Sequence, residues 1–281
     1  MKSTPPSEPH LADIARSALA GARAGAGQTV AGWPVLLGRA VFYVLLLTVL
    51  TALWDKVSTE HLPGGLAGAL PRQGLTLYVG VTEWVALSIP AIHLRLEDDI
   101  RGGALEAWLL RPKSYLVQRV AEACGGMVVR LAATGVAALL FLAASGRAWP
   151  PLEVLGLLVV VGPLAGVIGV LLLTLAGLSA FWARRTLPVM LVIQKMLFLL
   201  GGLFAPITLY PTWLARLGAF SPFAAHLYYP AVLTLQTAAG PGLRDMALAA
   251  LASQIAWTLL LGGLIAVIWR AGVARVLRGE I

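Results

Sequence analysis

Beside Arg39, which stands near the start of its apolar stretch, three charged residues lie deeper inside otherwise apolar stretches of this sequence: Glu83, Arg130 and Lys195. A charge at the centre of a bilayer costs at least roughly 2.5–3.5 kcal/mol, so each invites a chemical explanation. Glu83, near the middle of its stretch, is the kind of carboxylate a proton-coupled transporter protonates and releases. Arg130 and Lys195 lie about two helical turns inside theirs, where a long aliphatic stem can carry the charge back to the headgroups. Internal pairing and such snorkelling is the preferred account, because only one acid is central and a proton relay needs several. Other chemistry has few carriers. The chain has no GxxxxGK[ST] run to cradle nucleotide phosphates, no HExxH and no GxSxG elbow. Its four histidines (His10, His61, His93, His226) are too scattered for a helical metal pair. Cys124 is the single cysteine, which excludes an intrachain disulfide and a thiolate metal cluster. The expectation is a chain that catalyses nothing and binds no cofactor or metal of its own.

Groups of this kind need elements that cross lipid to position them. Of 281 residues, 59% are hydrophobic and 12% charged, against about 45–50% and about 25% in soluble domains. The mean hydropathy is +0.84. A soluble enzyme, a nucleic-acid-binding domain and a disordered chain are excluded. Apolar runs of the length that crosses a hydrocarbon core of about 30 Å fall at Val35–Trp54, Leu75–Leu94, Cys124–Ala144, Val154–Trp182, Pro188–Tyr210 and Ala247–Trp269. The fourth is longer than one crossing needs and must tilt, kink at Pro163 or project into the cytosol. The fold class is therefore an all-α integral membrane protein of six transmembrane helices.

Thirteen basic residues outside the spans fall on one side: Lys2, Arg16, Arg23, Arg95, Arg101, Arg111, Lys113, Arg119, Arg184, Arg185, Arg270, Arg275 and Arg278. Only Lys56, Arg72, Arg147, Arg216 and Arg244 fall on the other. The positive-inside bias then puts both termini of a multi-pass membrane protein in the cytoplasm. It also accounts for most of the net charge of +8, so no nucleic-acid partner is needed. Six of the nine tryptophans (Trp33, Trp54, Trp149, Trp182, Trp213, Trp269) sit at span ends, where an amphipathic ring meets the headgroups. The expected organisation is a cytoplasmic arm over 1–34, a permease domain over 35–270 and a short basic tail over 271–281. Within the arm, Leu11–Val30 reads equally as an interfacial helix and as a flexible Gly/Ala segment. Gly162 and Gly166 form a GxxxG that would admit a close neighbour to span four.

The most informative stretch lies between spans two and three: Glu97-Asp-Asp-Ile-Arg-Gly-Gly-Ala-Leu-Glu-Ala-Trp-Leu-Leu-Arg-Pro112. Gly103 to Arg111 reads as a short helix stopped by Pro112, with Leu105, Trp108 and Leu109 on one face and Glu106 pointing elsewhere. It either rests on the membrane or docks a soluble partner. In a docking helix Trp108 is the expected anchor and Glu106 sets register, with Arg111 flanking. The outer segment from Ala205 to Pro241 is apolar but broken by Pro206, Pro211, Pro222 and Pro230.

Residues 101–112, Arg-Gly-Gly-Ala-Leu-Glu-Ala-Trp-Leu-Leu-Arg-Pro, resemble the cytoplasmic signature of type-2 ABC exporter permeases of the six-span, stand-alone branch. Gly201-Gly-Leu-Phe-Ala-Pro206, Tyr210-Pro-Thr-Trp-Leu214, Ser221-Pro-Phe223 and Tyr229-Pro-Ala231 are similar to that branch's fifth span and outer segment, so the resemblance runs from about residue 35 to 270. It implies a coupling helix over 103–111 seated on an ABC ATPase subunit, which holds the ATP and magnesium. It also implies short re-entrant helices after span five, and a second permease half, identical or paralogous. The expected function is export of an amphiphilic or hydrophobic compound with ATP hydrolysed on the separate subunit. Two other classes stand beside it: a proton-coupled secondary transporter using Glu83, and a membrane scaffold.

Overall fold

The structure, a computed structural model, describes residues 11–59, 72–110, 114–147, 149–203, 205–235 and 241–280, with no strand among them. Helix α1 (Leu11–Ala31) leads through Gly32 into α2 (Trp33–Thr59). α3 (Arg72–Ser88) returns antiparallel to it, so that the Arg39 guanidinium donates to the Leu87 carbonyl and the Tyr43 hydroxyl to that of Gly80 at 2.8 Å. Pro90 interrupts the helix, since it offers no N–H and restricts the residue before it. α4 (Ile92–Arg101) resumes past the break, which places the acidic cluster Glu97–Asp99 on a helix rather than in a loop.

Six residues form α5 (Ala104–Leu109), and α6 (Tyr115–Ser145) and α7 (Leu152–Leu178) then cross in opposite senses. Pro163 sits inside α7 without ending it. After α8 (Leu187–Leu200) the outer segment folds as α9 (Thr212–Ala219), α10 (Pro222–His226) and α11 (Tyr228–Val232), and α12 (Pro241–Leu277) closes the chain. Glycines on α7 receive side chains from neighbours. A Cβ at Gly162 would lie 2.5 Å from the Trp84 ring, one at Gly166 2.2 Å from Met127 Sδ, and one at Gly169 2.5 Å from His226. The GxxxG of α7 thus seats large side chains of α3 and α6, not a helix backbone.

Among the described residues, five helices are long and apolar enough to cross a membrane. The expected continuous span 188–210 is corrected: α8 has 14 residues, about 21 Å of rise against a core of about 30 Å. Beyond Leu200 the chain leaves the helix at Gly201-Gly202, with Gly202 at φ +65°, a conformation that suits glycine. Irregular backbone at that depth survives only where protein satisfies it. Here α3 does so: the Tyr78 hydroxyl donates to Gly202 O at 2.7 Å and Thr82 Oγ1 to Leu203 O at 2.9 Å. α10 and α11 are likewise buried. His226, fully enclosed, has Nδ1 2.7 Å from Ala165 O, and Gln254 Nε2 of α12 donates to Val161 O at 3.1 Å and to Ala225 O at 3.2 Å.

The N-terminal segment is a helix, and it lies along α6 instead of forming a loose arm. The register climbs in the same direction, Gly21 against Gln118 and Thr29 against Gly126. The backbones touch: a Cβ at Gly25 would stand 1.9 Å from Glu122 O, and one at Gly125 1.9 Å from Ala22 O. This is the close small-residue contact of the molecule, made where dispersion contacts between helices carry the association.

Candidate functional site

At the end of the bundle where α4 and α7 finish and α6 begins, the short loop helix is braced from behind. Gly102 and Gly103 turn the chain, Gly103 at φ +76°, and α5 then runs for one and a half turns or so before Leu110. Leu105 is wholly buried and Trp108 and Leu109 are half-buried against the main core. The Trp108 ring meets that of Tyr115 edge-on at 5.8 Å. The Arg119 guanidinium lies 5.2 Å from the Trp108 centroid and 5.3 Å from that of Tyr115. Arg119 also pairs with Asp99 at 2.8 Å and Glu122 at 3.0 Å, and the Tyr115 hydroxyl donates to Asp99 at 2.6 Å. Tyr115 in turn stacks on Trp269 of α12 at 5.5 Å, with Phe181 edge-on to the same indole at 5.8 Å.

The segment joining α7 to α8 is tied to the same assembly. Glu97 accepts from the Thr186 backbone N–H at 2.9 Å and from its hydroxyl, and Arg101 donates to the Ala183 carbonyl. α4, α5, α6, the 179–186 turn and the end of α12 are thereby linked through side chains, with α6 and α12 the two long helices among them.

The expected docking residues fall on two different sides of α5. Leu105, Trp108 and Leu109 do form the apolar side of the helix, but that side covers the protein's own Tyr115 and Arg119. What α5 presents outward is Gly103, Ala104, Glu106 and Ala107, followed by Leu110 at 88% exposure. Arg111 falls outside the described residues. The network of Asp99, Tyr115, Arg119 and Glu122 was not picked out from sequence. Its only trace there is the i,i+3 spacing of Arg119 and Glu122 beside an acidic cluster.

The three intramembrane charges are not brought together. Glu83 is buried on α3, whereas Lys195 is exposed on α8 with Nζ 5.8 Å from the Phe198 ring. Among the described residues neither Arg130 nor Lys195 forms an ion pair with Glu83, so the expected internal pairing is replaced by three separate environments. Arg130 instead shares a cavity with Arg39 of α2, a residue that reading the spans had set aside. Further out, an apolar cavity of 510 Å³ opens between α2, α3, α6 and α7, lined by Leu47, Gly80, Trp84, Leu131, Gly135 and Leu158 among others. Among the described residues no three His, Cys, Asp or Glu side chains cluster as metal ligands, and Cys124 is a half-buried free thiol.

Residues 74–277 match the family model described as ABC-2 family transporter protein. No curated protein matches the chain. The match spans α3 to α12 and includes the braced loop helix and the irregular segment after α8, so the chain belongs to the ABC-2 transporter family as a permease.

Proposed function

We propose that this ABC-2 permease is the membrane subunit of an ATP-driven exporter, moving an amphiphilic or hydrophobic compound out of the cytoplasm. ATP and magnesium are held by separate ABC ATPase subunits that dock against the outward side of α5. A second permease half, identical or paralogous, completes the pathway. The end carrying α5 faces the cytoplasm of a bacterial inner-membrane protein, with both termini on that side. The observation that carries this reading is the braced α5: a short, outward-presented helix connected by Arg119, Tyr115 and Trp269 to two long helices, α6 and α12, is built to receive a push and pass it into the membrane. The apolar cavity between α2, α3, α6 and α7 suits a hydrophobic cargo better than an ionic one. Family membership favours ATP as the energy source over proton coupling through Glu83.

The test is Ala107→Arg. Ala107 is exposed, and arginine is a good helix former, so the change leaves α5 intact while placing a bulky charge on the docking side. Co-purification from native membranes is expected to lose the ATPase, with thermal stability of the permease unchanged. An Ala107→Arg protein that still brings down an active ATPase removes this face as the docking site. A wild-type protein that captures no ATPase overturns the exporter assignment.

A further inference from the structure

Where α1 bends into α2, a cavity of 220 Å³ is lined by Gln28, Thr29, Gly32, Arg39 and Arg130, together with two aliphatic side chains. The two arginines come from α2 and α6 and line the same cavity. Arg39 donates to the Leu87 carbonyl, which uses one of its five N–H groups. Arg130 Nη1 is fully enclosed and has no hydrogen-bond partner. Among the described residues no carboxylate stands within ion-pair distance of either guanidinium. Two half-buried cations facing one another, with donors to spare and no counter-ion, describe a site that is electrostatically incomplete.

We infer that this cavity binds a phosphate group, with Arg39 and Arg130 gripping its oxygens and Gln28 and Thr29 at its rim. Guanidinium forks match phosphate in geometry as well as charge. The size agrees, because 220 Å³ is below the roughly 300–1,000 Å³ of a site that swallows a whole ligand; it takes a headgroup and leaves the rest outside. The depth agrees too. Arg39 follows the start of its expected apolar run by about one helical turn and Arg130 by about two, depths from which a long guanidinium stem reaches back toward the headgroups. The apolar cavity begins at Tyr43, one turn beyond Arg39 on α2, and on α6 its wall includes Val128 and Leu131 to either side of Arg130, so acyl chains of a lipid held by its phosphate have apolar surface to follow. Occupancy bridges α1, α2 and α6, fastening the bend at Gly32 to the helix on which α1 already lies.

The source of the phosphate is an anionic phospholipid or a free phosphate ion, and the experiment separates them. The full-length permease is placed in nanodiscs of phosphatidylcholine alone or with phosphatidylglycerol. Lipid retained through detergent exchange is then counted by native mass spectrometry. Wild type is expected to hold phosphatidylglycerol selectively, and Arg39→Gln/Arg130→Gln to lose at least about ten-fold of that retention, the effect of one charge-assisted contact. Gln28→Glu, a change at an exposed position, supplies an internal carboxylate and is expected to displace the lipid while keeping the fold. A second arm adds inorganic phosphate to the phosphatidylcholine discs. An arginine-dependent rise in melting temperature there assigns the site to free phosphate. Wild type that neither retains phosphatidylglycerol nor responds to phosphate overturns the inference, as does retention that all the variants keep in full.

Discussion

Trp108→Ala separates bracing from docking, because the indole lies behind α5 while the proposed docking side lies in front. A fully interior tryptophan buries roughly 150–250 Å²; Trp108 is half-buried, so truncation returns on the order of 100 Å² to water. At about 25 cal/mol per Å² that costs about 2.5 kcal/mol. Losing the Arg119 guanidinium from the ring face adds about 0.5 kcal/mol at a partly exposed site, for a total near 3 kcal/mol. The Arg119 pairs with Asp99 and Glu122 do not involve the indole and remain. The expected phenotype is a permease that still binds its ATPase through Ala104, Glu106, Ala107 and Leu110, melts earlier, and transports less per ATP hydrolysed. Thermal unfolding by circular dichroism, ATPase co-purification and export in vesicles read the three quantities on one preparation. A variant that sheds the ATPase yet melts like wild type would refute the reasoning, because Trp108 would then be a direct anchor.

Two further outcomes follow from the packing of the described helices. Gly125→Leu drives a side chain into the Ala22 backbone, where even a Cβ would stand 1.9 Å from the carbonyl oxygen; α1 is expected to detach from α6, and a protease site placed at residue 20 to become cleavable in otherwise folded protein, while continued protection would show that α1 is held elsewhere. Tyr78→Phe removes the donor to Gly202 O and is expected to cost about 1–3 kcal/mol of thermal stability, since a buried carbonyl is left without that partner; an unchanged melting curve would mean another group satisfies the backbone after α8.

The family and most of the membrane-crossing elements are legible in the sequence because lipid imposes length and composition together. Runs near Val35–Trp54 and Cys124–Ala144 have nothing else to be, and tryptophans and arginines mark their ends. What composition conceals is the side that each helix turns inward. In water the apolar stripe of a helix points to its partner. In lipid both sides are apolar, and α2 exposes Leu45 and Val49 as freely as it buries Tyr43 and Leu47. The inner side is then marked by polar atoms and glycines, whose meaning depends on what lies opposite. Tyr78 and Thr82 read as ordinary members of an apolar helix until the chain after α8 is found to need their hydroxyls.

The same argument explains the two misplacements around the charges. The apolar side of α5 was legible at residues 105, 108 and 109, but whether it meets a partner or the protein's own Tyr115 depends on where α6 begins its climb, which spacing within the loop does not encode. Glu83 was expected to find an internal partner in Arg130 or Lys195, because opposite charges on neighbouring spans suggest a pair. The helix rotations fixed by Trp84, whose indole donates to Leu131 O at 2.8 Å, leave Glu83 and Arg130 apart and set Arg130 beside Arg39. A cavity that holds two arginines, with no carboxylate among the described residues in ion-pair distance of either, has its missing counter-charge to find outside the polypeptide, and the bilayer surface is where anions are concentrated.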